Sequence, residues 1–209
     1  MNIIKLNEKK PDIKIIKELG KELKNGKIFV YPTDTVYGIG CDPFNIISVK
    51  RIYEIKKRNI KKGLPILVNS IESAENFAII TKLAKKLMEK FWPGQLTIVL
   101  PKKNNVPEII SGGIKTIAIR QPNSLITRLL ANELDSGGII GTSANLSGLP
   151  PPISVNEAIN QLGEKVDYYI DGGITDKKVP STIIDLTENK PKLLREGSIP
   201  FEEIKRFLG

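Results

Sequence analysis

Short apolar runs alternate with segments of helical period along almost the whole of this 209-residue chain, and no other feature restricts its fold so strongly. A strand buried on both faces is a continuous apolar run, whereas an amphipathic helix repeats its apolar residues every three or four positions. Asp12 is placed to cap a helix from Ile13 to about Lys24, with Ile13, Ile16, Leu19 and Leu23 facing inward and Gly26 ending it. Ile28 to Tyr31 then forms a strand stopped by Pro32, and Val36 to Gly40 resumes an extended pattern. Ser70 and Thr81 suit the caps of two further helices. The second of these runs from Lys82 to Phe91, buries Leu83, Leu87 and Phe91, and is broken by Trp92-Pro93-Gly94, with Trp92 as a core-edge anchor. Further strands are expected at Leu96 to Leu100, Thr116 to Arg120, Ile139 to Gly141, Tyr168 to Ile170, Thr182 to Leu186 and Leu193 to Arg195. Ser124 starts a helix with Leu125, Leu129 and Leu130 inward, a capping box of Ser154 and Glu157 opens one to Leu162, and Pro200 heads the last, to Leu208. The pattern predicts an α/β fold around one twisted, mixed sheet flanked by helices, and the length suits a single domain over residues 1–209.

Five cations, Lys56, Lys57, Arg58, Lys61 and Lys62, crowd into seven residues where a helix carrying Val49, Ile52 and Tyr53 gives way to the apolar run Leu64 to Val68. Alone, such a run is a solvated helix end that suits the negative pole of the helix dipole. Its company argues for more. Upstream lies the polar turn Thr33-Asp34-Thr35, whose hydroxyls, with that of Tyr37, can point alternately along the segment. Downstream lies Thr142-Ser143-Ala144-Asn145, which as an isolated loop would be an ordinary turn. Together the three stretches resemble the walls of a polyanion pocket. Arg120 closes an apolar strand, the place where a planar guanidinium can clamp a carboxylate.

Composition narrows the chemistry. The chain has no histidine, which removes the usual general base, every Ser-His-Asp or Cys-His arrangement and the commonest transition-metal ligand. The remaining route is positioning and charge, as in phosphoryl and nucleotidyl transfer. A net charge of +9 favours anionic partners such as nucleotides, pyrophosphate or RNA. The lone Cys41 allows neither an internal disulfide nor a cysteine-rich zinc site, and no apolar run reaches membrane-spanning length. A cytoplasmic protein is expected. The glycines fit neither a Walker nor a dinucleotide-binding loop.

The stretches Tyr31-Pro-Thr-Asp-Thr-Val-Tyr-Gly38, Lys56-x-Arg58, Ile119-Arg120, Ser143-Ala-Asn145, Pro180-Ser181-Thr182 and Leu194-Arg195-Glu-Gly197 occur in an order and spacing that resemble the YrdC-like family of threonylcarbamoyl-adenylate synthases. The resemblance spans Ile28 to Gly197. It implies a twisted α/β fold enclosing a basic cavity, in which L-threonine, bicarbonate and ATP yield threonylcarbamoyl-AMP and pyrophosphate. Partner proteins of a threonylcarbamoyl-transferase complex would pass the group to an adenosine beside a tRNA anticodon. By the same resemblance Lys56, Arg58, Ser143 and Asn145 are catalytic; Thr35, Leu67, Arg120, Gly141 and Ser181 contact L-threonine; and Arg58, Lys62, Thr116, Ser143, Pro151 and Arg195 contact ATP. Magnesium would be bound mainly through the ATP phosphates, with no protein cage. Asn59 and Gly63 stand where many relatives have proline, and Leu67 where several have a polar residue. Longer members carry a second domain over the ATP site; here the chain stops soon after Arg195, so that site is expected to be more open or covered by something else.

Two other readings compete. A non-adenylating relative that binds double-stranded RNA or tRNA directly would show tight, salt-sensitive RNA binding without ATP turnover, whereas the synthase would turn over without RNA. The carbamoyl-transfer module of a hydrogenase maturation enzyme would sit in a longer chain with cysteine-rich zinc sites, which one cysteine disfavours.

Overall fold

The computed structural model describes residues 1–175, 179–188 and 190–209. In chain order its elements are β1 (Asn2–Lys5), α1 (Ile13–Lys24), β2 (Phe29–Tyr31), β3 (Gly38–Gly40), α2 (Ile46–Lys56), β4 (Ile66–Val68), α3 (Ile71–Ala74), α4 (Lys82–Phe91), β5 (Leu96–Pro101), α5 (Glu108–Ser111) and β6 (Thr116–Arg120). There follow α6 (Leu125–Asn132), β7 (Gly138–Ile140), β8 (Thr142–Ser143), α7 (Val155–Leu162), a single 3-10 turn, β9 (Tyr168–Asp171), β10 (Thr182–Asp185), β11 (Lys192–Arg195) and α8 (Phe201–Leu208). Helix starts obey local capping chemistry. The side chains of Asp12, Ser70, Thr81, Ser124 and Ser154 each accept a hydrogen bond from a first-turn backbone N–H. In the α7 box, Glu157 reaches back one residue further than expected and accepts from the amide of Ile153 at 2.9 Å.

The expected single sheet is in fact two. One has the strand order β1-β9-β2-β3-β8 and the other β11-β10-β5-β6-β4-β7. Each mixes parallel and antiparallel pairs: β2 runs parallel to β9 and antiparallel to β3, and β4 runs parallel to β6 and antiparallel to β7. One of the chain's three crossings between them falls at Gly141. Before it, β7 pairs with β4; after it, β8 pairs with β3 in the other sheet. Periodicity reports which residues are buried and is silent about which strand lies alongside, so one sheet and two produce the same pattern.

The first sheet divides the apolar interior. Phe29, Tyr31 and Ile170 face a layer with Ile16, Leu19 and Leu23 of α1 and Ile126 and Leu130 of α6, while Val30 and Ile39 face a larger core containing Val49, Ile66, Ile98 and Ile119. Some inward-facing residues differ from the sequence reading by one position. Ile13 lies in the first turn of α1 and is half exposed; α6 buries Ile126 and Leu130, with Leu125 and Leu129 only partly covered; α4 buries Ala84, Leu87 and Met88, with Leu83 and Phe91 at the edge. Strand β1 went unrecognised because it is an exposed edge strand without a buried face, and β8 because its two hydroxyl residues resemble a turn. Trp92 is a core-edge anchor: it is buried and its indole N–H donates to the Leu96 carbonyl at 2.7 Å.

The two sheets touch at backbone distance. The Ile140 amide donates to the Cys41 carbonyl at 3.0 Å, and the Tyr31 hydroxyl donates to the carbonyl of Ile140. Gly40 makes this approach possible, since a Cβ there would stand 1.8 Å from the Ile140 oxygen and 2.7 Å from the Tyr31 hydroxyl. Both obstacles are fixed from two sides. Gly40→Ala is therefore expected to cost about 3 kcal/mol of stability through forced separation of the sheets; urea denaturation would measure it, and an unchanged midpoint would contradict the crossing geometry.

Candidate functional site

The seam between the sheets opens into a cleft of about 270 Å³. Its lining contains Thr35, Leu67, Arg120, Gly141 and Ser181, the five residues assigned to the amino acid, together with Arg58, Ser143, Pro151 and Arg195 from the nucleotide set. These come from stretches far apart in the chain. β2 leads to the Thr33–Thr35 turn, α2 to Arg58, β4 carries Leu67, β6 ends in Arg120, the sheet switch is Gly141 followed by Ser143 of β8, and Ser181 and Arg195 flank the β10–β11 pair.

The turn after β2 is fastened from within. Thr33 Oγ1 donates to the Val36 carbonyl at 2.6 Å, accepts from the Thr35 amide at 3.2 Å and lies 3.0 Å from Thr35 Oγ1. The Tyr37 hydroxyl is spent elsewhere: it donates to the Gly173 carbonyl at 2.6 Å and accepts from the Gly172 amide at 3.2 Å, and burial pushes its pKa up to about 12. Arg120 is buried, with Nε donating to the Gly94 carbonyl at 2.8 Å, Nη1 to Thr35 Oγ1 at 3.2 Å and Nη2 to the Asp34 carboxylate. The guanidinium is therefore a partly occupied clamp, with the edge formed by Nε and Nη2 already closed to a two-bond carboxylate.

Arg58 reaches the cleft because α2 ends abruptly. Lys57 adopts the left-handed conformation, φ 50°, and the Arg58 amide closes back on the Tyr53 carbonyl at 2.9 Å. The Arg58 side chain is then held by the carbonyls of Lys62, at 3.1 Å, and Gly63, at 2.8 Å. Arg195 donates through Nη2 to the Ser181 carbonyl at 2.8 Å, and Ser181 Oγ lies 2.8 Å from Thr97 Oγ1. Burial lowers the pKa of Arg58, Arg120 and Arg195 from the usual guanidinium value.

Four assigned residues stand outside the lining. Lys56 is buried behind the segment Thr142 to Asn145, its ammonium donating to the Ser143 carbonyl and, at 2.6 Å, to that of Asn145. It fastens the wall of the cleft. Asn145 is likewise buried; its amide nitrogen donates to the carbonyls of Leu146, at 2.8 Å, and Leu149, at 2.7 Å, while Oδ1 has no partner among the described residues. Lys62 is exposed and contributes its carbonyl to Arg58. Thr116 begins β6 and Arg120 ends it, so about 13 Å of strand separates Thr116 from the cleft. Conversely, Thr97 lines the cleft and Asp34 pairs with Arg120, and neither is marked as functional by the sequence motifs. A hydroxyl inside the apolar strand Leu96 to Leu100 was the available signal for Thr97; Asp34 was visible in its motif, but its partner 86 residues away was not.

Among the described residues no carboxylate lines this cleft, and no group of three or more His, Cys, Asp or Glu is arranged to hold a metal ion. Nor is any described helix long and apolar enough to cross a membrane. A two-sheet α/β fold with three guanidiniums and several hydroxyls converging on one seam has the chemistry of an anion-binding site. The Sua5/YciO/YrdC family model, described as telomere recombination, matches residues 21–197, and the chain belongs to this family. It is 43% identical over 188 residues to a threonylcarbamoyl-AMP synthase of Pyrococcus abyssi, covering 90% of this chain but 55% of that protein. It is 40% identical over 206 residues to a putative threonylcarbamoyl-AMP synthase of Methanocaldococcus jannaschii, covering 99% of this chain and 96% of the relative. The crystal structure of P. abyssi Sua5 complexed with L-threonine superposes with a TM-score of 0.94 at 40% identity, covering 100% of this chain and 61% of that one.

Behind the cleft wall, one lysine is drawn toward neutrality. Burial, and secondarily the nearby Arg58 charge, pulls the pKa of Lys56 from 10.5 down to about 7. Below about pH 7 the folded and unfolded states both hold the proton; between about 7 and 10.5 the unfolded state holds it and the folded state releases it, so folding gains stability as pH rises. The wild type is expected to gain on Lys56→Met across this window, with a slope of up to about 1.4 kcal/mol per pH unit. Denaturant titrations of both proteins at pH 7, 8.5 and 10 check it, and parallel pH profiles would contradict it.

Proposed function

We propose that the chain is an L-threonylcarbamoyladenylate synthase, which forms threonylcarbamoyl-AMP and pyrophosphate from L-threonine, bicarbonate and ATP. The observation that carries the proposal is the convergence of nine residues from six sequence motifs and their neighbours on one cleft at the sheet seam. The names of the curated relatives support it, as does the likeness to P. abyssi Sua5 complexed with L-threonine.

Arg120 with Thr35 receives the amino-acid carboxylate, against an apolar wall of Val36, Leu67 and Ile183. The threonine amine and bicarbonate combine to a carbamate with loss of water. One carbamate oxygen then attacks the α-phosphorus of ATP, the P–O bond to the β-phosphate breaks, and pyrophosphate leaves. No protein base is needed for that attack, because the carbamate is already an anion. The cleft's work is electrostatic: Arg58 and Arg195, both in the lining, offset charge growing on the leaving pyrophosphate, and Ser143 positions the nucleotide. Lys56 and Asn145 act through the shape of the Ser143 segment that they hold. The donor set fits a magnesium ion delivered on the phosphates, since the lining presents cations and hydroxyls instead of carboxylates. Such an ion would neutralise phosphate charge. The product's threonylcarbamoyl group is then available to transferase proteins that modify tRNA beside the anticodon.

Pyrophosphate release from ATP and bicarbonate is the direct test. Release is expected to require L-threonine and to fall by about a hundredfold or more in Arg58→Ala, with a comparable loss in Lys56→Ala. Absence of release under every condition, together with salt-sensitive RNA binding, would replace the synthase with an RNA-binding protein.

A further inference from the structure

Asp34 belongs to none of the sets of catalytic or binding residues above, yet its carboxylate makes the one ion pair that Arg120 has among the described residues. Building on the synthase reading, we infer that Asp34 is a positioning residue of the amino-acid subsite, acting by fixing which edge of Arg120 the substrate carboxylate meets.

The geometry is specific. A guanidinium offers two edges at which a carboxylate can be held by two parallel bonds, one formed by Nε with Nη2 and one by the two terminal nitrogens. In Arg120 the single Nε hydrogen is spent on the Gly94 carbonyl at 2.8 Å, which closes the first edge to a two-bond carboxylate, while Nη2 donates to Asp34 Oδ1 and each terminal nitrogen keeps a second hydrogen. The terminal edge is left toward Thr35, whose hydroxyl accepts from Nη1 at 3.2 Å and which lines the cleft. Asp34 itself lies outside the cleft lining, on a separate cavity of about 610 Å³ that it shares with Glu8, Lys90 and Ser124. Its carboxylate therefore reaches the subsite through Arg120.

Asp34 is held firmly enough to serve. It sits inside the turn that Thr33 ties together, and its backbone carbonyl accepts from Gln95 Nε2 at 2.8 Å. Its second carboxylate oxygen is buried and has no hydrogen-bond partner among the described residues. The pair is nearly dry, with side-chain exposures of 7% for Arg120 and 12% for Asp34. Burial lowers the Arg120 pKa, Asp34 opposes that effect, and Arg195 adds to it. Removing the anion would leave the buried guanidinium charge unbalanced and its orientation fixed only by the Nε bond to Gly94 and the Nη1 bond to Thr35.

The experiment compares wild type, Asp34→Asn and Asp34→Glu by pyrophosphate release, with thermal unfolding followed by circular dichroism. In Asp34→Asn the KM for L-threonine is expected to rise about tenfold or more, while the KM for ATP stays within about twofold and kcat at saturating threonine within about threefold. The Glu variant keeps the charge but displaces it by one methylene, so it should fold even if the Asn variant does not, and should raise the threonine KM by a smaller factor. A folded Asn variant with an unchanged threonine KM, or an equal loss on both substrates, overturns the positioning role. If Asp34→Asn fails to fold, an unchanged threonine KM in Asp34→Glu overturns it. Lack of threonine-dependent release in the wild type would instead overturn the synthase reading itself.

Discussion

Everything in this molecule that faces a ligand depends on two backbones passing close enough that a methyl group would part them. The Gly40–Ile140 approach joins the two sheets, and the cleft is the space left beside that contact. The join is made of groups with little freedom: a backbone hydrogen bond between Ile140 and Cys41, a buried tyrosine hydroxyl on the Ile140 carbonyl, and glycines at 38, 40 and 141, each of which would bring a Cβ within 3 Å of a neighbour. Such crowding costs conformational entropy in the unfolded chain and returns precision in the folded one.

That precision is spent on cations. Three guanidiniums converge on a lining whose described residues include no carboxylate, an arrangement that repels itself until an anion arrives. The fold limits the cost by using backbone carbonyls as partners: Lys62 and Gly63 hold Arg58, Ser181 holds Arg195, Ser143 and Asn145 hold Lys56. Carbonyl dipoles orient a positive group without cancelling its charge, so the attraction for phosphate survives. Of the three guanidiniums, Arg120 has a full counter-charge among the described residues, in Asp34, which sets it apart from the cations on the nucleotide side.

Local chemistry was legible in the sequence. Every helix start assigned from a capping side chain is made by that side chain, because an N-cap bond spans two or three residues and needs no tertiary information. The motif residues Thr35, Arg58, Arg120, Ser143, Ser181 and Arg195 do share one cleft. What escaped was direction and partnership. A lysine in a cationic cluster advertises its charge, yet the Lys56 ammonium is turned to carbonyls 87 and 89 residues away. Thr116 and Arg120 share a strand but stand at its opposite ends. The second sheet was hidden because periodicity does not report which strands pair, and one of the three crossings between the sheets is made across a single glycine without a loop to announce it.

The strand switch at Gly141 has a mechanical side. Side chains alternate along a strand, so the registers of β7 against β4 and of β8 against β3 are set by the same few peptide units. Neither sheet can slip by one residue without turning Ser143 out of the cleft and Ile140 off the crossing. The segment behaves as a spline shared by two shafts: adding or deleting one residue between Ile139 and Ser143 would mistime both sheets together, whereas the surface turns elsewhere in the chain can lengthen without either sheet registering the change.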